Sequence, residues 1–391
     1  MAVTEISAQP APSPARLIGV IGLSLALGYA VLLIGVTLQG YWLLDGQGQP
    51  IASDFVNVWA AGQLALGGHA PSAYDWTIHR AAEVSAIGHP FEGYFGWHYP
   101  PPFFFAAIVL AMLPYTVAAL AWLAVTLPLY AATVRMIVGA RVGILLALGF
   151  PAALWNAVAG QNGFLTAALI GATLSLIERR PVAAGVCLGL LSYKPQFGLL
   201  FPIALAAGGY WRALGWAFLA AAITFAFSGV VFGFEIFAAF AHQLPASADA
   251  LLRQGGVGFN KLQSIYGITR WLGGRDGAGW TAQAIVTAGA AITVLALWRS
   301  QASFALKAAG LCAATLLATP YVFAYDLPLL AVGFAFLFRE RRFDAFDILG
   351  VVAALVFFLA FALFAVPLAL FSSVALAVTI LRRLSDPGRS S

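Results

Sequence analysis

Charged residues are scarce in this sequence. Asp, Glu, Lys and Arg make up only 9% of its 391 residues, whereas a typical soluble domain has about 25%. So few charges cannot cover the surface of a water-soluble globule, and the 62% of hydrophobic residues exceeds the usual share of roughly 45–50%. The scarcity of charge therefore excludes a soluble protein and predicts an all-α, polytopic membrane protein.

Cysteine is also scarce. The two cysteines, Cys187 and Cys312, lie far apart inside apolar runs, which excludes a disulfide framework. Four of the five histidines are nine or ten residues apart, a spacing that does not match a zinc site. The glycine-rich segments lack the nucleotide-binding spacing. Although the net charge is +5, we expect no nucleic-acid partner, because the basic residues form short clusters between apolar runs, as in cytoplasmic loops.

The apolar run at residues 17–38 predicts the first transmembrane helix. Its 22 residues can cross a hydrocarbon core of roughly 30 Å and exceed the roughly 7–15 apolar residues of a secretory signal. The later basic clusters predict cytoplasmic loops, and the intervals between them predict five helical hairpins. We therefore expect about 12 or 13 transmembrane helices.

These patterns predict one transmembrane domain at residues 17–380, between cytoplasmic tails at residues 1–16 and 381–391. Two long outer loops are expected at residues 39–100 and 235–279. The expected location is the inner membrane of a bacterium, with the active site on the periplasmic, outer face.

Proline interrupts the apolar stretch at residues 101–138. Pro114 divides this stretch unequally, and two interpretations stay open. Either Arg135 and Arg141 depart from the positive-inside trend, or residues 101–113 form a partial, re-entrant helix.

A second interruption surrounds Lys194. The apolar runs on either side, at about residues 181–192 and 195–208, are short for full spans. Such segments are typical of a broken or tilted pair that lines a cavity. An ionisable residue at this depth is a functional-site hypothesis, although Lys194 could instead extend to the headgroups. Asp326, in another outer turn, is a candidate partner.

The first outer loop holds five acidic residues and four histidines. Residues 54–66 carry apolar side chains at helical spacing, which predicts a short amphipathic helix on the membrane surface. Ser53 or Asp54 would be its N-cap. A carboxylate at the start of such a helix could also act as a general base on a hydroxyl, and the two roles are compatible. His98 is either an interfacial residue or a donor to a phosphate or sugar.

The second outer loop contains Arg253, Asn260, Lys261 and Arg270. Basic residues on the outer side run against the usual trend and indicate an anionic ligand, such as a lipid phosphate. A solvated loop is the alternative for each of them. The other polar candidates in outer turns are Tyr99, Gln161, Asn162, Gln196 and Tyr325.

Several short motifs together resemble glycosyltransferase family 87, between about residues 50 and 330. They are Ser53-Asp54-Phe55, Trp59-Ala60-Ala61, Leu66-Gly67-Gly68, Ala73-Tyr74-Asp75, Tyr99-Pro100-Pro101, Gly160-Gln161-Asn162, Lys194-Pro195-Gln196, Thr319-Pro320-Tyr321 and Tyr325-Asp326. The resemblance implies the fold of the C-type glycosyltransferase superfamily and a polyprenyl-phosphate sugar as donor. It also implies that Asp54 is the catalytic base and that polar residues of later outer turns bind the phosphate.

We extend the phosphate-binding role to Lys194, Arg253, Lys261 and Arg270. The remaining candidates for substrate binding are His98, Tyr99, Gln161, Asn162, Gln196, Asn260, Tyr325 and Asp326. The family most often transfers mannose, so the expected reaction moves a hexose from the polyprenyl-phosphate donor to a lipid or glycan acceptor with inversion.

No cofactor is required by this chemistry, although a divalent ion shared by Asp54 and Asp326 stays open. The expected partners are the lipid-linked donor, the acceptor and the membrane. A secondary transporter or lipid flippase is the main alternative, because it too would explain broken helices and a buried lysine with an acid. A non-catalytic assembly partner, in which Asp54 is only a helix cap, is a third interpretation.

Overall fold

The computed structural model describes residues 14–340 and 344–385. This part of the chain is overwhelmingly helical, which confirms the predicted all-α membrane fold. Residues 1–13 and 386–391 of the predicted tails, and Arg341 and Arg342 of one basic cluster, lie outside the described residues. A hairpin between Tyr41–Trp42 and Leu44–Asp45 supplies two short antiparallel strands.

The described residues form 18 α-helices. The first nine are α1 Pro14–Leu38, α2 Phe55–Leu66, α3 Trp76–Ile87, α4 Phe104–Ala111, α5 Tyr115–Val138, α6 Val142–Gly149, α7 Pro151–Ala159, α8 Gly163–Leu176 and α9 Pro181–Leu190. The other nine are α10 Phe201–Ala207, α11 Trp211–Phe232, α12 Glu235–Ala248, α13 Ile265–Trp271, α14 Asp276–Arg299, α15 Phe304–Leu317, α16 Pro328–Arg339, α17 Ala345–Phe364 and α18 Leu370–Leu384.

Five described helices, α1, α5, α11, α14 and α17, are long and apolar enough to cross a bilayer. Helices α6 and α7 form a sixth candidate, bent by 59°, because Pro151 begins α7 after an extended Phe150. Six shorter apolar segments of 10–17 residues accompany them. The predicted count of 12 or 13 is therefore reached only when shorter helices cross as broken spans.

The stretch around Pro114 folds as a short helix followed by a full-length helix. A 3₁₀ turn at Pro101–Phe103 leads into α4, which has eight residues, and α5 then has 24. Pro114 occupies the N-cap position of α5, where its missing N–H and restricted φ do not disturb the helix. The structure thus agrees with the partial-helix interpretation.

The pair of helices around Lys194 is broken, as predicted. Between α9 and α10 lie 3₁₀ turns at Leu191–Tyr193 and Pro195–Phe197, and Lys194 separates them with φ −137° and ψ 66°. The helix ends here because a proline disfavours the helical conformation in the residue before it. The break places Lys194 at an irregular segment of backbone.

The helix predicted at residues 54–66 forms as α2, and its place on the membrane surface stays a prediction. Seven of its first eight residues are buried, because α2 packs against α4. Gly62 allows this contact: a Cβ at this position would lie 2.2 Å from the carbonyl oxygen of Ala107. Gln63 Nε2 donates to the carbonyl of Ala111 at 2.6 Å and so satisfies a carbonyl at the end of α4.

The second outer loop is more helical than expected. Helix α12, a π-helical turn at Asp249–Arg253, a 3₁₀ turn at Phe259–Lys261 and α13 occupy most of it. The backbone N–H of Gln263 donates to the carbonyl of Val322 at 2.7 Å. This bond fastens the segment after Lys261 to the turn that precedes α16.

We expect the change Gly62→Ala to destabilise the protein, because the new Cβ would force α2 away from the backbone of α4. Overpacking of this kind costs about 1–3 kcal/mol. Gly28→Ala in α1 is the matched control, since a Cβ at Gly28 would have no neighbour within 4 Å. Thermal unfolding of both variants in detergent measures the effect. Equal melting temperatures of the two variants would contradict the close α2–α4 contact.

Candidate active site

One cavity of about 470 Å³ opens between the first outer loop and the later outer turns. Its volume is within the range of about 300–1,000 Å³ that is usual for ligand sites. The residues predicted for the site that line this cavity are Asp54, His98, Tyr99, Gln161, Lys194, Gln196, Lys261, Tyr325 and Asp326. The tertiary structure thus brings together polar residues from five separate parts of the chain.

Asp54 occupies the N-cap position of α2, but its side chain makes no capping hydrogen bond. Its Oδ2 instead accepts a hydrogen bond from Gln161 Nε2 at 3.3 Å. Ser53 does not supply the cap either, because its Oγ contacts the hydroxyl of Tyr115 at 3.2 Å. The Asp54 carboxylate therefore lines the cavity and does not cap the N-terminus of α2.

Burial raises the pKa of Asp54 from its ordinary value of 3.8 to about 6. The hydrogen bond from Gln161 and the positive charge of Lys261 oppose this rise but do not cancel it. The physical cause is desolvation, which disfavours the charged form of a carboxyl group. A carboxylate with a pKa near 6 is a stronger base than an ordinary aspartate and is still ionised at neutral pH.

Gln161 has a fixed orientation at the turn between α7 and α8. Its Oε1 accepts hydrogen bonds from the hydroxyl of Tyr99 at 3.1 Å and from the N–H of Asn162 at 3.2 Å. The turn is made by Gly160, whose φ of +67° is left-handed. With its oxygen occupied in this way, the Gln161 amide presents its N–H group to Asp54.

Lys194 and Asp326 form a buried ion pair. The Nζ–Oδ1 distance is 2.5 Å, and the side chains are 7% and 0% exposed. Lys194 Nζ also donates to Asn162 Oδ1 at 2.8 Å, and Asp326 Oδ2 accepts from the N–H of Phe323 at 3.0 Å. Asn162, which was predicted to bind substrate, thus contacts Lys194 but does not line the cavity. The charge of Lys194 is balanced before any ligand binds.

Lys261 differs from Lys194 because its side chain is exposed and lines the same cavity. It forms no ion pair with the residues that the structure describes. Its 3₁₀ turn is held in place by Gln263, whose Nε2 donates to the carbonyl of Lys261 at 3.2 Å. Lys261 is thus a cation at the cavity whose charge is available to an anion.

Two of the predicted phosphate-binding residues, Arg253 and Arg270, do not line the cavity. Arg270 Nη1 lies 3.0 Å from Asp276 Oδ1 and also donates to the hydroxyl of Tyr266. Arg253 lies 3.1 Å from Asp249 and is 70% exposed. Asn260 likewise is not among the cavity-lining residues. Local acidic partners hold both arginines in an ion-pair cluster that does not line the cavity.

His98 lines the cavity at the edge of the first outer loop. Its Nδ1 lies 2.8 Å from the hydroxyl of Ser247 in α12. Burial, with a smaller contribution from His79, lowers the pKa of His98 to about 4. His98 is therefore a neutral side chain at physiological pH, and it links the first outer loop to the second.

Sequence reasoning missed some polar residues that line the cavity, namely Asn57, Tyr94, Tyr193 and Ser247. The position of Asn57 carries a local signal, because it follows Asp54 by three residues and shares its helix face. Ser247 carries none, since its contact with His98 spans 149 residues of sequence.

Part of the cavity wall is apolar. Phe240, Leu244, Leu251 and Val257 line it from the second outer loop. A cavity that combines polar and apolar walls fits an amphiphilic ligand. Within residues 14–340 and 344–385, no group of three or more His, Cys, Asp or Glu side chains could hold a metal. That no metal is required stays a prediction, and a divalent ion between Asp54 and Asp326 stays the alternative.

We expect Asp54→Asn to raise stability at pH 7.5. The pKa of Asp54 is higher in the folded chain than its ordinary value, so stability falls as pH rises from about 4 through 6. A one-unit pKa difference corresponds to about 1.4 kcal/mol, so the rise of the pKa from 3.8 to about 6 predicts a gain of roughly 3 kcal/mol at pH 7.5 that vanishes near pH 4. Thermal unfolding at both pH values measures it. Asp45→Asn is the control, and the same gain there would contradict the assignment.

Comparison with known proteins identifies the family. The model of glycosyltransferase family 87 matches residues 97–320, more than half of the chain. No curated protein and no solved structure matches the chain significantly. The matched segment includes Gln161, Lys194 and Lys261, whereas Asp54 and Asp326 lie outside it and join the site through the tertiary structure. The chain belongs to glycosyltransferase family 87 and is therefore a membrane glycosyltransferase, acting on a sugar donor and an acceptor.

Proposed function

We propose that this glycosyltransferase moves a hexose, with mannose as the first candidate, from a polyprenyl-phosphate donor to a lipid or glycan acceptor. The reaction takes place at the outer face of a bacterial inner membrane. The observation that carries the proposal is that a partly buried carboxylate, two lysines and an apolar wall meet in one cavity. Family membership favours an enzyme over the transporter alternative.

Asp54 is the general base in this proposal. It takes the proton of an acceptor hydroxyl while the hydroxyl oxygen attacks the anomeric carbon of the donor sugar. The bond between that carbon and the phosphate oxygen breaks on the opposite face, so the anomeric configuration inverts. The bond from Gln161 orients the carboxylate without neutralising it, because a side-chain amide carries no charge.

Lys261 is the main binding residue for the donor phosphate. The leaving phosphate gains negative charge in the transition state, and a fixed cation stabilises that charge. Lys194 has a smaller role, because Asp326 already balances its charge. An ammonium has three N–H donors, and Asp326 and Asn162 accept two of them. The third remains for a phosphate oxygen.

The apolar wall supports a lipid-linked substrate. Phe240, Leu244 and Leu251 come from α12 and the turn after it. A polyprenyl chain beside these side chains would keep its hydrocarbon out of water, while its phosphate reaches Lys261. A water-soluble nucleotide sugar would gain nothing from this wall.

We expect Asp54→Asn to lower kcat by about 10²–10⁴-fold, since a positioned base contributes that much, with little change in the KM of the donor. In the wild type the rate should fall below about pH 6, because only the ionised Asp54 accepts a proton. Radiolabelled polyprenyl-phosphate mannose, with extracted membrane lipids as acceptors, measures both effects.

Asp75→Asn is the matched control for this experiment. Asp75 lies in the same outer loop and caps α3 by accepting from the N–H groups of Thr77 and Ile78, a role that asparagine can also perform. Its variant should retain the wild-type rate. An Asp54→Asn variant as fast as the wild type would exclude Asp54 as the base.

We expect Lys261→Met to raise the KM of the donor about tenfold or more, because a hydrogen bond to a charged group contributes about 1.5–3 kcal/mol. Arg253→Met removes a neighbouring positive charge that does not line the cavity and should change the KM little. Steady-state kinetics with varied donor concentration measure both variants. Equal effects of the two changes would point to a general electrostatic attraction and not to a phosphate site at Lys261.

A further inference from the structure

Asn57 is a cavity-lining residue that the proposed mechanism does not use. It lies in the first turn of α2, is only 5% exposed, and faces the cavity that Asp54 lines. Its Oδ1 is buried and has no hydrogen-bond partner. Among the cavity-lining side chains that the structure describes, this is the one buried polar atom without a partner.

Four other polar side chains that line the cavity have hydrogen-bond partners within the protein. Gln161, Lys194, Asp326 and His98 each make side-chain hydrogen bonds within the protein. A buried oxygen without a partner destabilises the fold, and asparagine is also a poor helix former. Folding alone would favour an apolar residue at position 57. A local conflict of this kind is typical of functional positions.

The position of Asn57 relative to Asp54 indicates which ligand it faces. Asn57 follows Asp54 by three residues, a spacing that places both on one side of a helix, and both residues line the same cavity. A group that binds there is close to the hydroxyl that Asp54 deprotonates. Carbohydrates carry hydroxyl groups on neighbouring carbons, and an amide oxygen accepts a hydrogen bond from such a group.

We propose that Asn57 is a specificity-determining residue whose amide binds a second hydroxyl of the acceptor, next to the hydroxyl that is glycosylated. The acceptor is then a carbohydrate or another polyol, and not an alcohol with a single hydroxyl. This inference rests on the proposed function, because it takes Asp54 as the base. A site built to bind a hydroxyl strongly rejects an analogue that lacks it.

The test combines enzyme variants with acceptor analogues. Full-length wild type, Asn57→Leu, Asn57→Asp and Gln63→Leu are purified and supplied with polyprenyl-phosphate mannose. The acceptors are octyl mannoside, its four monodeoxy forms, octanol and extracted membrane lipids. Gln63→Leu is the matched control, because Gln63 lies on α2 and donates to Ala111 without lining the cavity.

The wild type should use one monodeoxy mannoside at least tenfold less efficiently, by kcat/KM, than octyl mannoside. Asn57→Leu should use octyl mannoside about as poorly as the wild type uses that monodeoxy form. Its kcat/KM should fall little further when the monodeoxy form replaces octyl mannoside. Asn57→Asp, which keeps an acceptor oxygen, should retain part of the discrimination. The melting temperature of Asn57→Leu should equal or exceed that of the wild type, whereas Gln63→Leu should melt lower and keep the wild-type discrimination.

Other outcomes overturn the inference separately from the proposed function. If Asn57→Leu discriminates among the deoxy mannosides as the wild type does, or melts lower as Gln63→Leu should, Asn57 is only structural. If the wild type glycosylates octanol and octyl mannoside with equal efficiency, the inference fails and the proposed function stands. The same conclusion follows if it glycosylates the lipid extract but no mannoside. If it transfers sugar to none of these acceptors, both fail.

Discussion

The buried ion pair between Lys194 and Asp326 is the interaction on which the rest of the site depends. It joins two outer turns that are 132 residues apart in sequence, and Asn162 adds a third turn through its bond to Lys194. Loss of either charge would leave the other one buried without a partner, which costs about 3–5 kcal/mol. The break between α9 and α10 and the turn before α16 are therefore held together at the cavity.

This pairing also separates the roles of the two carboxylates in the cavity. Asp326 is bound to a cation and a backbone N–H, whereas Asp54 receives only the neutral amide of Gln161. Burial raises the pKa of both carboxyl groups, but of the two only Asp326 forms an ion pair with a described residue. Two acids placed in different surroundings can thus perform different tasks. The cavity thus holds one carboxylate hydrogen-bonded to a neutral amide and one carboxylate in a buried ion pair.

Much of the local structure could be predicted because it depends on neighbouring residues. The long apolar run of α1 and the breaks at Pro114 and Pro195 follow from side-chain hydrophobicity and from proline geometry. Helix α2 was also predictable from its spacing, but its burial was not. That burial depends on the close contact of Gly62 with the backbone of α4. The hydrophobic periodicity of each segment predicts a helix, but it does not predict which helices pack together.

By itself, the sequence determined the membrane class, the positions of α1 and α2, the break at Lys194 and Asp54 as a candidate base, since composition, periodicity and short motifs are local properties. Only the tertiary structure decided which cations reach that carboxylate. Arg253 and Arg270 are held by Asp249 and Asp276, while the exposed Lys261 lines the cavity. The physical reason is that Coulomb attraction and hydrogen bonds act over a few ångströms in space, and a distance between turns more than a hundred residues apart is set by packing.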